Sequence, residues 1–95
     1  RSTLSSSSAA SDVYKRQTLY GANLQNANLS NSSLKGANLM NADLRGANLY
    51  RVDLTDANLR NTDFTDANLL YVIVTPEQLK RVASLRGAKL LPDDL

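Results

Sequence analysis

The sequence predicts an all-β solenoid, a chain wound into a stack of polygonal coils. Three observations predict it: an apolar residue recurs every five positions, a small residue precedes it by two, and Asn, Asp, Ser or Gly lie between. Residues two apart share a face of an extended segment, so each Ala-x-Leu unit faces inward. Asn, Asp, Ser and Gly favour tight turns, and a turn every five residues returns each unit to the same interior.

Neither an α-helix nor an uninterrupted strand accounts for a period of five. Five residues advance an α-helix by about 500°, so successive leucines would point to every side. In a strand an odd period would point successive leucines to opposite faces. A short extended piece followed by a bend is the remaining solution.

Two sets of residues are predicted to point inward along the repeat. The apolar centres are Leu19, Leu24, Leu29, Leu34, Leu39, Leu44, Leu49, Leu54, Leu59, Phe64 and Leu69, with Val74 as a twelfth. The small or compact residues two before the centres are Ala22, Ala27, Ser32, Ala37, Ala42, Ala47, Val52, Ala57, Thr62, Ala67 and Val72.

The repeat units also carry a family resemblance. "ANLQN", "ADLRG" and "TDFTD" resemble the pentapeptide-repeat proteins, whose pattern is A(D/N)LXX, and the resemblance covers residues 18–75. It implies a right-handed quadrilateral parallel β-helix of about three coils, with twenty residues in each coil. Leu44 then stacks on Leu24 and Phe64 on Leu44, while the backbone pairs between coils as in a parallel sheet.

The residues on either side of the repeat suggest three segments. Residues 1–17 are Ser-rich and predicted to be disordered or artefactual, and residues 5–17 resemble translated sequencing-adaptor read-through. The repeat, residues 18–75, starts without a cap, and the chain begins with Arg1 rather than Met. We therefore expect a bacterial metagenomic fragment of a longer protein.

Residues 76–95 are predicted to form a short C-terminal capping helix and a tail. Thr75 is the expected N-cap, Pro76 the first helical residue and Gln78 the partner in a capping box, with Gly87 at the helix end. The tail "GAKLLPDD" again reads Ala-x-Leu and could add one more strand. The apolar face of this helix is formed by Leu79, Val82, Ala83 and Leu85.

Composition and charge exclude several functions. The chain has no cysteine and no histidine, which removes the usual metal ligands and the usual general base. The net charge of +2 divides into +2 for residues 1–17, −1 for 18–75 and +1 for 76–95, so no basic stripe forms. The longest apolar run, "LLYVIV", is too short to cross a bilayer. We predict no catalytic, metal or cofactor-binding residue, no cofactor, no nucleic-acid partner and no membrane contact.

Outward positions offer two candidate sites. Asp43 and Asp63 should lie one above the other, which we interpret as a solvated face with a surface ion pair rather than a catalytic pair. Tyr50 should stack under Leu70 and Arg51 under Tyr71, which gives apolar and aromatic surface beside a cation. This second cluster is either a protein-binding patch or a surface covered by the C-terminal tail or a neighbouring coil. Stacked asparagines such as Asn28, Asn48 and Asn68 are interpreted as hydrogen-bonding ladders that stabilise the corners.

The predicted function is a non-enzymatic structural or protein-interaction module whose protein partner is unidentified. One alternative is a topoisomerase-binding DNA mimic, a role of some pentapeptide-repeat proteins that relies on an acidic rod, whereas residues 18–75 carry five acids against four bases. Another is a targeting or scaffold domain of a larger truncated protein. Homodimerisation through the coil ends also stays open, and a cytoplasmic location is the default.

Overall fold

The structure is a computed structural model that describes residues 18–91, and this stretch forms an all-β solenoid. Up to Ile73, single-residue parallel bridges join positions twenty apart, and they fall into four columns. The bridging residues are Thr18, Asn38 and Asn58 in column A; Asn23, Asp43 and Asp63 in column B; Asn28, Asn48 and Asn68 in column C; and Ser33, Asp53 and Ile73 in column D.

The backbone pairs between coils through three repeating hydrogen bonds, one of which runs from the positive-φ corner residue, as in Gly21 N–H to the Met40 C=O at 3.0 Å. The N–H groups of the apolar centres up to Leu69, except that of Leu59, donate to the bridging residue of the next coil, as Leu24 does to the Asp43 C=O at 2.8 Å. In return the Asp43 N–H donates to the Ala22 C=O at 2.9 Å. Each coil therefore satisfies the backbone of the coil beneath it.

Each corner is a tight turn that contains one residue with positive φ. The Ala22 N–H closes the first corner by donating to the Leu19 C=O at 3.0 Å, and Gly21 has φ of 62°. A positive φ at the third position is the mark of a type II turn. The same backbone recurs at Gly21, Asn26, Asn31, Gly36, Asn41, Gly46, Arg51, Asp56, Asn61, Asp66 and Tyr71.

The outward Asn and Asp side chains stabilise the corners from within their own coil. The Asn48 side-chain oxygen accepts from the Tyr50 N–H at 3.1 Å, and Asn68 makes the same contact with Leu70. The sequence suggested ladders between stacked amides, but these side chains bond to the backbone N–H two residues along the chain instead. Such bonds favour the turn conformation because they satisfy its exposed N–H groups.

The interior is filled by the predicted centres and small residues. Leu19 to Leu69 at every fifth position are all buried, and so are the small positions from Ala22 to Val72. Each buried leucine contributes about 1.5–3 kcal/mol. Thr62 is polar but satisfied, because its hydroxyl donates to the Leu39 C=O at 2.7 Å. Val74 differs from the expectation, since it is only half-buried and packs at the edge of the core.

The predicted capping helix is much shorter than expected. Helix α1 covers only Pro76–Leu79, and it has the predicted capping box between Thr75 and Gln78. The prediction that it continues to Gly87 is wrong. Instead Ser84 pairs with Asp63, and Gly87 adopts the left-handed corner conformation.

The chain resumes the solenoid after α1 with one extra residue. Lys89 pairs with Asn68, twenty-one positions earlier, as the Ala-x-Leu pattern of the tail suggested. Leu85 and Leu90 pack against the core as two further centres. Residues 92–95 and the predicted N-terminal segment, residues 1–17, lie outside the described part of the chain.

Pro76 explains why the coil is interrupted. It lies five residues after Tyr71, at the corner position that elsewhere has positive φ. The proline ring fixes φ near −65°, so this residue cannot form the usual corner but is well suited to the first turn of a helix.

Candidate functional site

The tyrosine–arginine patch, formed by Tyr50, Arg51, Leu70 and Tyr71, lies on the corner that follows column C. The rings of Tyr50 and Tyr71 meet edge to face, with centroids 5.7 Å apart and planes at 84°. The guanidinium carbon of Arg51 lies 5.4 Å from the Tyr50 centroid and 6.0 Å from that of Tyr71. The structure thus brings together four residues that the sequence placed on one corner.

The patch combines exposed apolar surface with a cation. Tyr71 is 54% exposed, while Tyr50 and Leu70 are half-buried. Edge-to-face tyrosines and a guanidinium over a ring each contribute about 0.5–1 kcal/mol at exposed sites. These contacts restrict the rotamers of the three side chains and hold their outer surfaces in one arrangement.

Two members of the patch occupy an unfavourable backbone conformation. Arg51 and Tyr71 both have φ of 61°, in the left-handed region. The other described corners with this backbone carry Gly, Asn or Asp, which tolerate it far better. A left-handed backbone costs an L-residue about 1–2 kcal/mol. Large side chains at these two positions therefore lower the stability of this corner.

The paired carboxylates on the neighbouring corner form an ion-pair cluster. Arg45 donates to Asp43 at 2.9 and 2.8 Å and lies 4.0 Å from Asp63. The Gln25 amide also donates to Asp43 at 2.6 Å. The hydrogen bond from Arg45, with its positive charge, lowers the pKa of Asp43 from 3.8 to about 2. Such a carboxylate stays ionised and paired at neutral pH, so it is poorly suited to general acid chemistry.

Residues 18–91 offer no obvious place for a metal ion. No group of three or more His, Cys, Asp or Glu side chains converges within this part of the chain. The Asp43–Asp63 pair already faces the Arg45 guanidinium, which competes with a cation for the same oxygens. The cluster therefore has the arrangement of a surface ion pair.

Two grooves at the C-terminal end were not predicted from the sequence. They lie on either side of Gln78, and their volumes are about 250 and 540 Å³. The smaller is apolar and includes Ile73, a residue that is 57% exposed. The larger includes Arg60 and Arg81. The available signal was Pro76, whose position in the five-residue register is incompatible with a corner.

The fold and the patch define a repeat solenoid with one distinctive outward surface. A family profile described as pentapeptide repeats matches residues 18–56 and 42–73, with eight copies. The chain belongs to the pentapeptide-repeat family. Proteins of this family fold as right-handed quadrilateral β-helices, in agreement with the four columns of bridges.

One solved structure supports the same fold, and two others are more weakly similar to the chain. A pentapeptide repeat protein from Nostoc Pcc 7120, alr5209, is 37% identical over 85% of this chain, with a TM-score of 0.67, and the match spans 65% of that protein. A pentapeptide repeat protein of the Arabidopsis thaliana thylakoid lumen is 23% identical over 90% of this chain and 66% of its own, with a TM-score of 0.43. QnrB1, a plasmid-mediated fluoroquinolone resistance protein, is 23% identical over 80% of this chain and 39% of its own, with a TM-score of 0.42.

Two further findings accompany these matches. A search of curated proteins gave no match. In residues 18–91, no helix has the length and apolar character needed to span a membrane.

Proposed function

We propose that this chain is a non-enzymatic structural and protein-interaction module that contacts its partner through the tyrosine–arginine patch. The observation that carries the proposal is the pair of left-handed residues, Arg51 and Tyr71, within one cluster of aromatic and cationic surface. Strained backbone is maintained where the side chain it presents is useful. The other described corners of the solenoid need no such residues, because Asn, Asp or Gly occupy the equivalent positions.

The chemistry of the patch suits a protein partner. Tyrosine and arginine are enriched among the residues that dominate binding energy at protein interfaces. Both combine a large apolar area with polar ends, and the contacts between Tyr50, Arg51 and Tyr71 reduce the rotamer entropy that binding would otherwise cost. Leu70 adds apolar area beside them.

The solenoid itself acts as the rigid support for this surface. We propose that residues 18–75 make about three coils and that residues 76–95, with α1 at their start, close the C-terminal end. This division is supported by Leu79, which is 8% exposed, and by Leu85 and Leu90, which pack against the core. An open coil end needs such a cover because its apolar interior would otherwise meet water.

Site-specific photocrosslinking tests the proposed surface. A photoreactive phenylalanine derivative replaces Tyr71 in one variant and Tyr20 in a matched control, since these tyrosines are 54% and 52% exposed on different corners. In an extract of the source organism, we expect a discrete protein adduct from position 71 that disappears when Arg51→Glu is added. Equal adducts from both positions, or none from position 71, would contradict the proposal.

The alternative of a topoisomerase-binding DNA mimic finds no support in the charge distribution. Residues 18–75 carry five acidic and four basic side chains, and Arg45 lies between the stacked Asp43 and Asp63 and offsets part of their charge. A mimic of duplex DNA needs a continuous negative surface. A gyrase supercoiling assay distinguishes the two functions, and we expect no inhibition by this chain.

A further inference from the structure

The ladder of backbone hydrogen bonds has a gap above residues 56–59. In the coil below, the Leu39 N–H donates to the Asn58 C=O at 2.9 Å and the Gly36 N–H to the Thr55 C=O at 2.8 Å. The residues twenty further on are Leu59 and Asp56, and neither N–H has an acceptor among the described residues. Two backbone N–H groups of the solenoid therefore have no acceptor in this gap.

The gap arises because α1 replaces the extended segment that would cover it. The Gln78 side-chain amide partly substitutes for that segment, donating to the C=O groups of Leu54 at 2.7 Å and Ala57 at 3.0 Å. One coil lower, the equivalent Ala37 C=O accepts from the backbone N–H of Asn58 at 2.9 Å. The Gln78 side-chain amide therefore makes the hydrogen bond that a backbone N–H makes in the regular coil.

The grooves on either side of Gln78 differ in chemistry. The groove of about 250 Å³ is lined by Ile73, Val74 and Ala57, and its wall is largely apolar. The groove of about 540 Å³ is lined by Leu59 together with Arg60 and Arg81. Both arginines are exposed, and neither forms an ion pair within residues 18–91. Glu77 also lines this groove, and its carboxylate lies 3.7 Å from the Lys80 ammonium.

We propose that this gap is a strand-addition site for an extended segment of a protein partner, with a large aliphatic residue and, about four positions later, an acidic residue. The segment displaces the Gln78 amide, donates its own N–H to Ala57 and accepts from the N–H groups of Asp56 and Leu59. Addition of a strand to an open ladder edge is a general mode of peptide recognition.

Charge and shape select the partner's side chains. The aliphatic side chain enters the apolar groove beside Ile73, and the carboxylate reaches Arg60 and Arg81, whose guanidinium groups favour carboxylates. The separation of four positions is that of Asp56 and Arg60 in the coil beneath, because a parallel strand keeps its register with the wall. The site lies on a different corner from the tyrosine–arginine patch, so it is independent of the function proposed above.

Amide chemical shifts of the isotope-labelled protein test the proposal. The probe is a short acetylated and amidated Ser/Thr peptide with one Leu and, four positions later, one Asp. We expect the Asp56 and Leu59 amide protons to move downfield and to exchange more slowly with solvent, because both gain an acceptor. The amides of Tyr50 and Tyr71 stay unchanged.

Matched variants and a modified probe separate the contributions. Arg60→Glu combined with Arg81→Glu should weaken probe binding at least about tenfold, whereas Arg86→Glu, at the same end of the solenoid on another corner, should leave it unchanged. The probe methylated on its backbone nitrogens should not bind, because it cannot donate to Ala57.

Four outcomes overturn the strand-addition proposal. The first is that the methylated probe binds as well as the unmodified probe. The second is that the probe changes the amide chemical shifts of Tyr50 and Tyr71 instead of those of Asp56 and Leu59. The Asp56 and Leu59 shifts appear without probe as protein concentration rises, which assigns the gap to a second copy. In the last outcome, the Asp56 and Leu59 amide protons show the chemical shifts of N–H groups without an acceptor only after residues 92–95 are deleted. That result would assign the gap to the chain's own C-terminal segment. None of these results affects the crosslinking test at Tyr71.

Discussion

The corners that follow columns B and C have the same backbone conformation but carry different kinds of side chain at their left-handed positions. The column B corner carries Asn26, Gly46 and Asp66 at its left-handed positions, and the column C corner carries Asn31, Arg51 and Tyr71. φ lies between 58° and 70° at all six residues, so the solenoid backbone determines the conformation whichever residue is present.

The difference shows which requirement acts on each corner. At the column B corner the residues are those that tolerate a left-handed backbone at low cost. A β-carbon on Gly46 would also overlap the side-chain oxygen of Asn26 beneath it. At the column C corner the costlier residues form the tyrosine–arginine patch. The residues of the first corner suit its backbone, whereas two of the residues at the second corner do not and instead form an exposed aromatic and cationic surface.

The largest expected effect comes from breaking the interior that both corners share. Leu44 is fully buried between Leu24 and Phe64, and Leu44→Asp would place an unpaired charge there. We expect a loss of at least about 4 kcal/mol in the free energy of unfolding, enough to unfold a small domain. Circular dichroism would show loss of the β-signal, while the exposed Arg60→Asp control keeps it. An unchanged melting temperature for Leu44→Asp would contradict the inward stacking.

Alanine in place of glycine tests the column B corner. Gly21→Ala meets no atom within 4 Å, so only the left-handed backbone opposes it, at about 1–2 kcal/mol. Gly46→Ala carries the same penalty and also collides with Asn26, which should add roughly 1 kcal/mol. Urea denaturation measures both. Adding Asn26→Gly should remove the excess, and equal costs for the two alanine variants would refute the close approach of Asn26 to Gly46.

The Asp43–Arg45 pair beside the column B corner predicts a modest pH dependence. The pKa of Asp43 is lowered to about 2 in the folded chain, mainly by the hydrogen bond from Arg45. A lowered pKa means stability that is present above about pH 4 and is lost as the pH falls toward 2. Because the pair is at the surface, we expect at most about 1 kcal/mol. Urea midpoints between pH 5 and 2 should fall for the wild-type chain and less for Asp43→Asn; parallel curves would contradict the assignment.

Much of the fold could be predicted from the sequence because one pattern specifies it. The five-residue period determines which side chains face inward, and the small and apolar positions predicted in this way are buried from Leu19 to Val72. The same pattern placed Tyr50 and Arg51 beneath Leu70 and Tyr71. Their edge-to-face and cation–π geometry could not be predicted, since it depends on rotamers.

The C-terminal end was harder because two patterns overlap there. Val82 and Leu85 have helical spacing after the capping box, which suggested a long helix. Leu85 and Leu90 are also five apart, and Ala83 and Ala88 precede them by two, so they continue the repeat. The coil register prevails because ladder bonds such as Phe64 N–H to Ser84 C=O, at 3.0 Å, pair the chain with the wall. An isolated short helix has no comparable support.

The most direct test of the difference between the two corners is the stability of the double variant Arg51→Asn with Tyr71→Asn. It removes one tyrosine pair and two cation–π contacts, worth about 0.5–1 kcal/mol each at exposed sites, but relieves two left-handed residues at about 1–2 kcal/mol each. Urea denaturation should therefore show a free energy of unfolding equal to or above that of the wild-type chain. A loss of more than about 2 kcal/mol would mean that the patch is part of the wall's stability, and would contradict its assignment as a contact surface.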